Sequence, residues 1–337
     1  MVGYLLRRLL GTIPILFGVI FLTFMLLQLI PGDPATVLAG ERATPEQIEQ
    51  IREELGLNDP ILVQFGRYIW NLAQLDLGRS LLTNRPVTTE IAERLPATVE
   101  LALSAMLIGA FIGLTLGVIA AWNKQTFWDT FSMLLALAGV SIPVFWLGLE
   151  FIYYFSYQML WFPTSGRGDF PGESITGLFV LDSLLTFNFA ALSKAFSHLA
   201  LPAITLGLYT SALIARMTRS SLVQVLEQDF IRTARAKGTN RLLLLRHTFM
   251  AGFVPVLTIM GLQLGMLLGG AILTEHVFSW PGLGSFMVQA VFARDFPSIQ
   301  ALVLVAAVTF VGANLAVDLI AALFDPRIRE RLGQTGE

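Results

Sequence analysis

The run Asp229-Phe230-Ile231-Arg232-Thr233-Ala234-Arg235-Ala236-Lys237-Gly238 carries three cations and one carboxylate between two long apolar segments. Its chemistry is recognition and not bond making. Asp229 suits a helix N-cap, Phe230 to Lys237 suit two helical turns with Lys237 at the negative end, and Gly238 suits the left-handed stop. Phe230 and Ala234 share a face at i,i+4 spacing, with Ile231 beside it. So short a helix does not persist in water unless it packs against something. On the residues alone two readings stand: a docking helix for a soluble partner, or a basic loop held at the membrane by anionic lipid. Nucleic acid is not indicated, because no nucleic-acid module is present.

Elsewhere the chemically capable groups are sparse. There is no cysteine, so disulfides and thiolate metal sites are excluded. His198, His247 and His276 show no metal-ligand spacing, and no G-x-x-x-x-G-K-[ST] occurs to cradle a nucleotide phosphate. The chain should therefore hold no metal and hydrolyse no ATP of its own. No serine sits in G-x-S-x-G, so a membrane-embedded hydrolase lacks support. Three carboxylates fall in or at the ends of apolar segments, Glu150, Glu275 and Asp318. Charge inside a bilayer is costly and points to function or to pairing. Glu150 is the candidate for a polar cavity or transport path, while Glu275 and Asp318 read either as such or as interfacial groups that cap, pair or snorkel.

The elements that must position these groups are membrane helices. Hydrophobic residues make up 55% of the 337 and charged residues 14%, and the mean hydropathy is +0.68. Six segments have the roughly 20 apolar residues that a span needs: Leu9 to Ile30, Val99 to Trp122, Phe131 to Tyr154, Leu199 to Ala215, Phe249 to Thr274 and Ile299 to Phe324. The expected fold is all-α and polytopic, with six transmembrane helices. Lys and Arg concentrate at the termini and in the loops on one side, from Arg7 and Arg8 through Lys124 and the basic run to Arg331. The positive-inside rule then places both termini in the cytoplasm. Arg7-Arg8 before an apolar run also resembles a leader, but the run is too long and no small-residue cleavage pattern follows, so it reads as a retained first span.

The expected organisation is a first helix over 1–30, an extracytoplasmic subdomain over 31–98, a transmembrane core over 99–324 with an outer loop at 164–197, and a cytoplasmic tail at 325–337. Pro31-Gly32-Asp33-Pro34 stops the first helix. Thr44-Pro45-Glu46-Gln47 opens a solvated helix that Gly56 closes. Pro143 predicts a kink in the third segment, and Phe278 to Gly284 predict a tight aromatic turn at the outer interface. Glycine recurs every fourth residue at Gly109, Gly113 and Gly117, and again at Gly261, Gly265 and Gly269. Such a smooth stripe admits a close backbone, either within the chain or at a partner subunit along a translocation path or gate.

Taken in order, these motifs resemble the permease subunits of binding-protein-dependent ABC importers, specifically the first of the paired permeases in the dipeptide, oligopeptide and nickel class. The similarity runs through Ile30-Pro31-Gly32-Asp33-Pro34, Asp76-Leu77-Gly78, Arg94-Leu95-Pro96-Ala97-Thr98, Ser141-Ile142-Pro143, Leu201-Pro202-Ala203, Arg216 to Ser221, Phe230 to Gly238, Thr274-Glu275 and Asp325 to Arg329. Where the general importer loop begins Glu-Ala-Ala, this chain has Arg232-Thr233-Ala234, a form shared with the peptide class. The resemblance implies a type I ABC importer permease fold in a bacterial or archaeal cytoplasmic (inner) membrane. It also implies a second, different permease subunit, two ABC ATPase subunits that bind ATP and Mg, and an extracytoplasmic solute-binding protein. Asp229 to Gly238 would then be the helix that couples to the ATPases, and the long stretch from Thr164 to Ser197 tilts the cargo toward di- or oligopeptides. Nickel and glutathione-like peptides are the alternative cargoes, and an ion-driven secondary transporter is the alternative of a different class.

Overall fold

A computed structural model describes residues 2–29, 34–39, 43–54, 56–170 and 174–324. The turn expected at Pro31-Gly32-Asp33 and the tail from Asp325 lie outside them. The described chain is helical, with one isolated antiparallel bridge, Arg79 to Pro86, and no strand among the described residues.

The first helix, α1 (Val2–Leu29), contains Pro14. Two short helices follow, α2 (Pro34–Ala39) and α3 (Pro45–Glu54). A reciprocal capping box opens α3: Gln47 N–H donates to Thr44 Oγ1 at 3.4 Å and Thr44 N–H to Gln47 Oε1 at 3.0 Å. The fourth helix, α4 (Ile61–Ala73), is held to α1 by aromatic packing. The Phe65 ring lies 6.0, 5.5 and 5.2 Å from those of Phe17, Phe21 and Phe24, within the range where edge and tilted ring pairs attract.

Helix α5 (Val87–Trp122) begins well before the segment expected at Val99, with Pro96 accommodated inside it. The boundary expected at 98 therefore falls within one continuous helix. Next come α6 (Phe127–Ser141) and α7 (Val144–Phe151), the latter running into a π-helical stretch, Ile152–Gln158. A kink was expected here, but the helix breaks: Ile142 is extended, at φ −91° and ψ 129°, and the two halves are bent by 94°. The cause is local, because the ring of Pro143 disfavours the helical region for the residue before it.

After α8 (Phe179–Leu185) comes α9 (Phe189–Leu226), 38 residues long and containing Pro202. It begins inside the stretch expected to be an outer loop to Ser197. The remaining helices are α10 (Asp229–Ala236), α11 (Arg241–Leu268), α12 (Ile272–Val277), α13 (Leu283–Phe292) and α14 (Phe296–Phe324).

The described parts of the six apolar segments fall mainly on helices. Among the described residues α5, α9, α11 and α14 are long and apolar enough to cross a membrane, and the bent pair from α6 to Gln158 makes a fifth if it counts as one. In α1, itself Val2–Leu29, the described side chains run unbroken over Leu10–Met25, which carry no charge and are fewer than that length needs. Among the described residues the expected six transmembrane helices are thus matched by four, or by five with the bent pair that Pro143 divides.

The glycine stripe of α5 fixes the centre of the bundle. A Cβ at Gly109, Gly113 or Gly117 would come within 3 Å of Thr210, Ile214 or Thr218 respectively. Both residue numbers rise together, so α5 and α9 run parallel with backbones in close approach. Helix α6 runs antiparallel to α9: Gly139 abuts the Leu208 carbonyl, while Asp129 takes two hydrogen bonds from Arg219, at 2.5 and 2.7 Å. Helices α11 and α14 are also antiparallel, with Gly261 against Val317 and Gly265 against Phe310. Buried Leu101, Leu206, Ile214, Val256, Leu267 and Trp280 fill the space between α5, α9 and α11. One end of the bundle carries α10, and the other carries residues 164–170 and 174–185 and the 278–284 turn.

Candidate functional site

Helix α10 matches the basic run, with two changes of detail. Gln228, extended at φ −74° and ψ 150°, precedes the helix in the N-cap position, and Asp229 is its first helical residue, with its carboxylate 3.6 Å from Arg232. The sequence favours Asp229 as cap by residue type, but Gln228 has the non-helical backbone that a cap requires. At the other end Gly238 adopts φ +76°. Gly238 N–H donates to the Arg235 carbonyl and Thr239 N–H to the Ala234 carbonyl, both at 3.1 Å. Those two bonds form a Schellman closure, which needs the left-handed conformation that glycine adopts at low cost. Asn240 then caps α11 by accepting from Leu242 N–H at 3.1 Å.

What holds α10 is Ile231. Fully buried, it packs with Val225 of α9 and Leu244 of α11, and Trp122, Leu226 and Ala234 close around it. Phe230, expected on the packed face, is instead 47% exposed. The inward pair is Ile231 and Ala234, while Phe230, Arg232, Thr233, Arg235, Ala236 and Lys237 face outward. Lys124 reaches Glu227 at 2.5 Å and bridges the neighbouring loop to the start of this turn. The result is a short helix fixed to three long ones, showing an aromatic ring and three cations to whatever meets it.

At the opposite end a polar cluster joins distant segments. Glu275 on α12 is fully buried. It accepts from Thr98 Oγ1 at 2.8 Å and from Ser285 N–H at 3.0 Å, and Thr98 Oγ1 in turn accepts from Leu283 N–H at 2.8 Å. Of the readings open to Glu275, capping is the one its contacts match: the carboxylate satisfies the backbone at the start of α13 and ties it to α5. Phe278 and Trp280 of the aromatic turn point inward and are buried, and Trp280 Nε1 donates to the Ala97 carbonyl at 2.8 Å.

Beside this cluster Arg167 is clamped to Glu100 and also donates to the Gly177 carbonyl at 2.6 Å, while Val180 N–H donates to the other oxygen of Glu100 at 2.7 Å. A short way along, Asp182 gathers the hydroxyls of Ser174 and Thr176, both at 2.6 Å, and the N–H groups of Thr176 and Gly177. Burial alone would raise its carboxyl, but these donors prevail and hold it below the usual aspartate range. At the foot of α14, buried Asp295 accepts from Ser80 Oγ at 2.5 Å and Ser298 Oγ at 2.7 Å. Sequence reasoning missed Glu100, Arg167, Asp182 and Asp295. Only Glu100, a charge inside an apolar segment, left a signal that could have been followed.

The other expected residues do not converge. Glu150 sits on α7 beyond the bend, half-buried and without a hydrogen-bond or ion-pair partner among the described residues. Gly261 and Gly265 are covered by Val317 and Phe310, and Gly269 meets only carbonyls of its own helix. That stripe receives α14 at its first two positions, as packing within the chain would have it. Asp318 falls on α14.

Comparison with known proteins gives consistent matches. Residues 113–330 match the family model described as "Binding-protein-dependent transport system inner membrane component". Residues 1–102 match the companion model, "Binding-prot-dependent transport system membrane comp, N-term". The dipeptide transport system permease protein of Alkalihalophilus pseudofirmus is 46% identical, over 98% of this chain and 100% of that one. The di/tripeptide transport system permease protein of Pseudomonas aeruginosa is 44% identical and the dipeptide transport system permease protein of Escherichia coli K12 41%, each over 98% of this chain and 100% of the relative. Among solved structures, a chain of the inward-facing methionine ABC transporter MetNI aligns with a TM-score of 0.54. It is 14% identical, over 71% of this chain and 97% of that one.

Proposed function

The chain belongs to the family of inner membrane components of binding-protein-dependent transport systems, and from that premise we propose that it is one of two pore-forming permeases of an ATP-driven importer of di- or oligopeptides. Its relatives carry names for dipeptide and di/tripeptide transport. In this reading α1, the bent pair and the four long helices supply six crossings of a bacterial or archaeal cytoplasmic membrane, both termini are cytoplasmic, and α10 faces the cytoplasm. A second permease, most simply a different subunit, completes the path. Two ATPase subunits bind ATP and Mg, and an extracytoplasmic binding protein delivers the cargo.

The observation that carries the proposal is the mounting of α10. Its inner face is locked by Ile231 to α9 and α11 while its outer face stays open. A helix so mounted transmits a rigid-body displacement into the long helices and does not absorb it by bending. Closure of the two ATPases would draw the α10 helices of the paired permeases together and turn the path outward; reopening would reset it.

The test is copurification in mild detergent followed by reconstitution into liposomes. Two ATPases, a second permease and a binding protein should come with this chain, and the assembly should take up dipeptides only with ATP. Transport by the isolated chain without ATPases would overturn the reading.

A further inference from the structure

One helical face beyond the Pro143 break gathers an unpaired carboxylate and a group of tyrosines. Glu150 lies in the last turn of α7, and Tyr153, Tyr154 and Tyr157 follow in the π-helical stretch, a form of helix that recurs at functional sites. Side chains three, four and seven residues apart share one side of a helix. The opposite side is fastened to the fold: a Cβ at Gly148 would meet the Phe278 ring at 3.0 Å, and Ser156 Oγ donates to the Pro163 carbonyl at 3.1 Å. The tyrosine face is thus left exposed, at the end of the bundle opposite α10.

The rings form one cluster. The Tyr153 ring centre is 5.1 Å from that of Tyr154 and 6.1 Å from that of Tyr157, and Gln158 Nε2 donates to the Tyr153 hydroxyl at 3.0 Å. Glu150 has no local countercharge. From Gln125 to Gly166 the sequence holds no Lys, Arg or His, and Asp129, the other acid in that stretch, is taken by Arg219. A carboxylate in an apolar segment without a partner is costly, and it calls for a cation from outside the chain. A metal ion is not suited, because among the described residues no three acids or histidines stand together. Tyrosine faces attract an organic ammonium, more strongly as it sheds water. Tyrosines alone would suit a membrane-interface belt, but an unpaired carboxylate on the same face suits a small molecule that carries a primary ammonium.

We infer that the face of Glu150, Tyr153, Tyr154 and Tyr157 receives the N-terminal ammonium of peptide cargo as it enters from outside. The inference rests on the importer reading above, which turns this end outward and supplies a cargo with an ammonium. The assembled transporter with its binding protein, in liposomes, would be given a dipeptide of a diazirine-bearing leucine analogue followed by alanine, then irradiated during ATP-driven uptake. The diazirine sits on the residue that carries the ammonium, and label is expected on residues 146–157. Glu150→Gln and Tyr154→Leu should each lower it about three- to tenfold, while Glu150→Asp and Tyr154→Phe, which keep the charge and the ring, should label close to the parent. Because the chain has no cysteine, Glu150→Cys allows the charge to be put back. Labelling should recover after reaction with sulfonatoethyl methanethiosulfonate, an anion, and not with the trimethylammonium reagent, the parent assembly treated alike serving as control. Label elsewhere in the chain, a loss in Glu150→Asp as deep as in Glu150→Gln, no loss in Glu150→Gln, or equal recovery with both reagents would overturn the site and leave the importer reading intact. So would an effect of Glu150→Gln confined to liposomes that contain phosphatidylethanolamine, since the face would then hold a lipid headgroup. Absence of any ATP-dependent uptake by the unaltered assembly would instead remove the importer reading, and the site with it.

Discussion

Arg167 sets both its Nε and its Nη2 on a single oxygen of Glu100, at 2.9 and 2.5 Å, and lays its guanidinium 3.7 Å from the centre of the Phe179 ring. Both side chains are at least nine-tenths buried. Removing one member of a buried pair strands the other charge at a cost of about 3–5 kcal/mol, whereas replacing both by apolar groups of similar size is often neutral. Glu100→Gln should therefore lower the midpoint of thermal unfolding in detergent markedly, and Glu100→Gln with Arg167→Met should recover much of the loss. A double variant no more stable than the single one would show that the charge pair is not what fastens this segment to α5.

The parallel seam between α5 and α9 leads to a second expectation. A methyl group at Gly113 would lie 2.7 Å from both the Ile214 Cβ and the Ser211 carbonyl oxygen. Neither can move without its backbone, so Gly113→Ala should separate the helices and cost about 1–3 kcal/mol, as overpacking does. At Gly312 on α14 a Cβ meets nothing within 4 Å, and there the same change should be neutral or stabilising by up to about 1 kcal/mol, because alanine loses less freedom in a helix. Unfolding midpoints of the two variants should move in opposite directions or, at least, only Gly113→Ala should fall.

Elements governed by local chemistry were legible in the sequence, and pairings across the chain were not. The Thr44 and Gln47 capping box and the left-handed Gly238 follow from residues a few positions apart, and the apolar segments follow from composition. Pro143 was legible as a disturbance, but whether its helix kinks or breaks depends on what receives the second half, here the Val277 and Phe278 side chains against Gly148. Glu100 with Arg167, and Ser80 with Asp295, lie 67 and 215 positions apart, and nothing in either local sequence names the partner. For Glu275 a capping role was among the readings, but hydropathy does not register the Ser285 N–H and the Thr98 hydroxyl that receive it. For α10 the exposed cations were readable, while the choice of Ile231 over Phe230 as anchor was made by Val225 and Leu244, which lie on other helices.

Acid should act on the segment near Asp182 in a defined direction. The Ser174 and Thr176 hydroxyls and two N–H groups bind its ionised form and outweigh the burial that opposes it, so the folded carboxyl titrates below the ordinary aspartate value of about 3.9. A carboxylate depressed by folding contributes its full stabilisation above that ordinary value and loses it as pH falls through the lower folded value. Hydrogen-exchange protection at Thr176 and Gly177 should thus be high and level from neutral pH to about pH 5, then fall relative to the α5 core below about pH 4. Asp182→Asn should show the low protection at every pH. Protection that is lost already between pH 7 and pH 5 would mean that another group governs the segment.

Anchoring and closure of α10 should separate in their effects. Ile231 is fully buried between Val225 and Leu244, and truncating a buried isoleucine to alanine typically costs about 2–5 kcal/mol. Because that loss falls on the contact joining α10 to α9 and α11, Ile231→Ala should leave ATPase binding within reach while transmission slackens: hydrolysis continues and uptake per ATP falls. At Gly238 a Cβ meets nothing within 4 Å, so the difficulty is the φ of +76° alone. Gly238→Ala should then cost only about 1 kcal/mol, and Gly238→Asn, which tolerates the left-handed region better, less still. In reconstituted transporter the ratio of uptake to hydrolysis should fall in the order parent, Gly238→Asn, Gly238→Ala, Ile231→Ala. If Gly238→Ala proves the more damaging, movement passes through the Schellman turn and not through the packed Ile231, and the rigid mounting of α10 would have to be abandoned as the route of coupling.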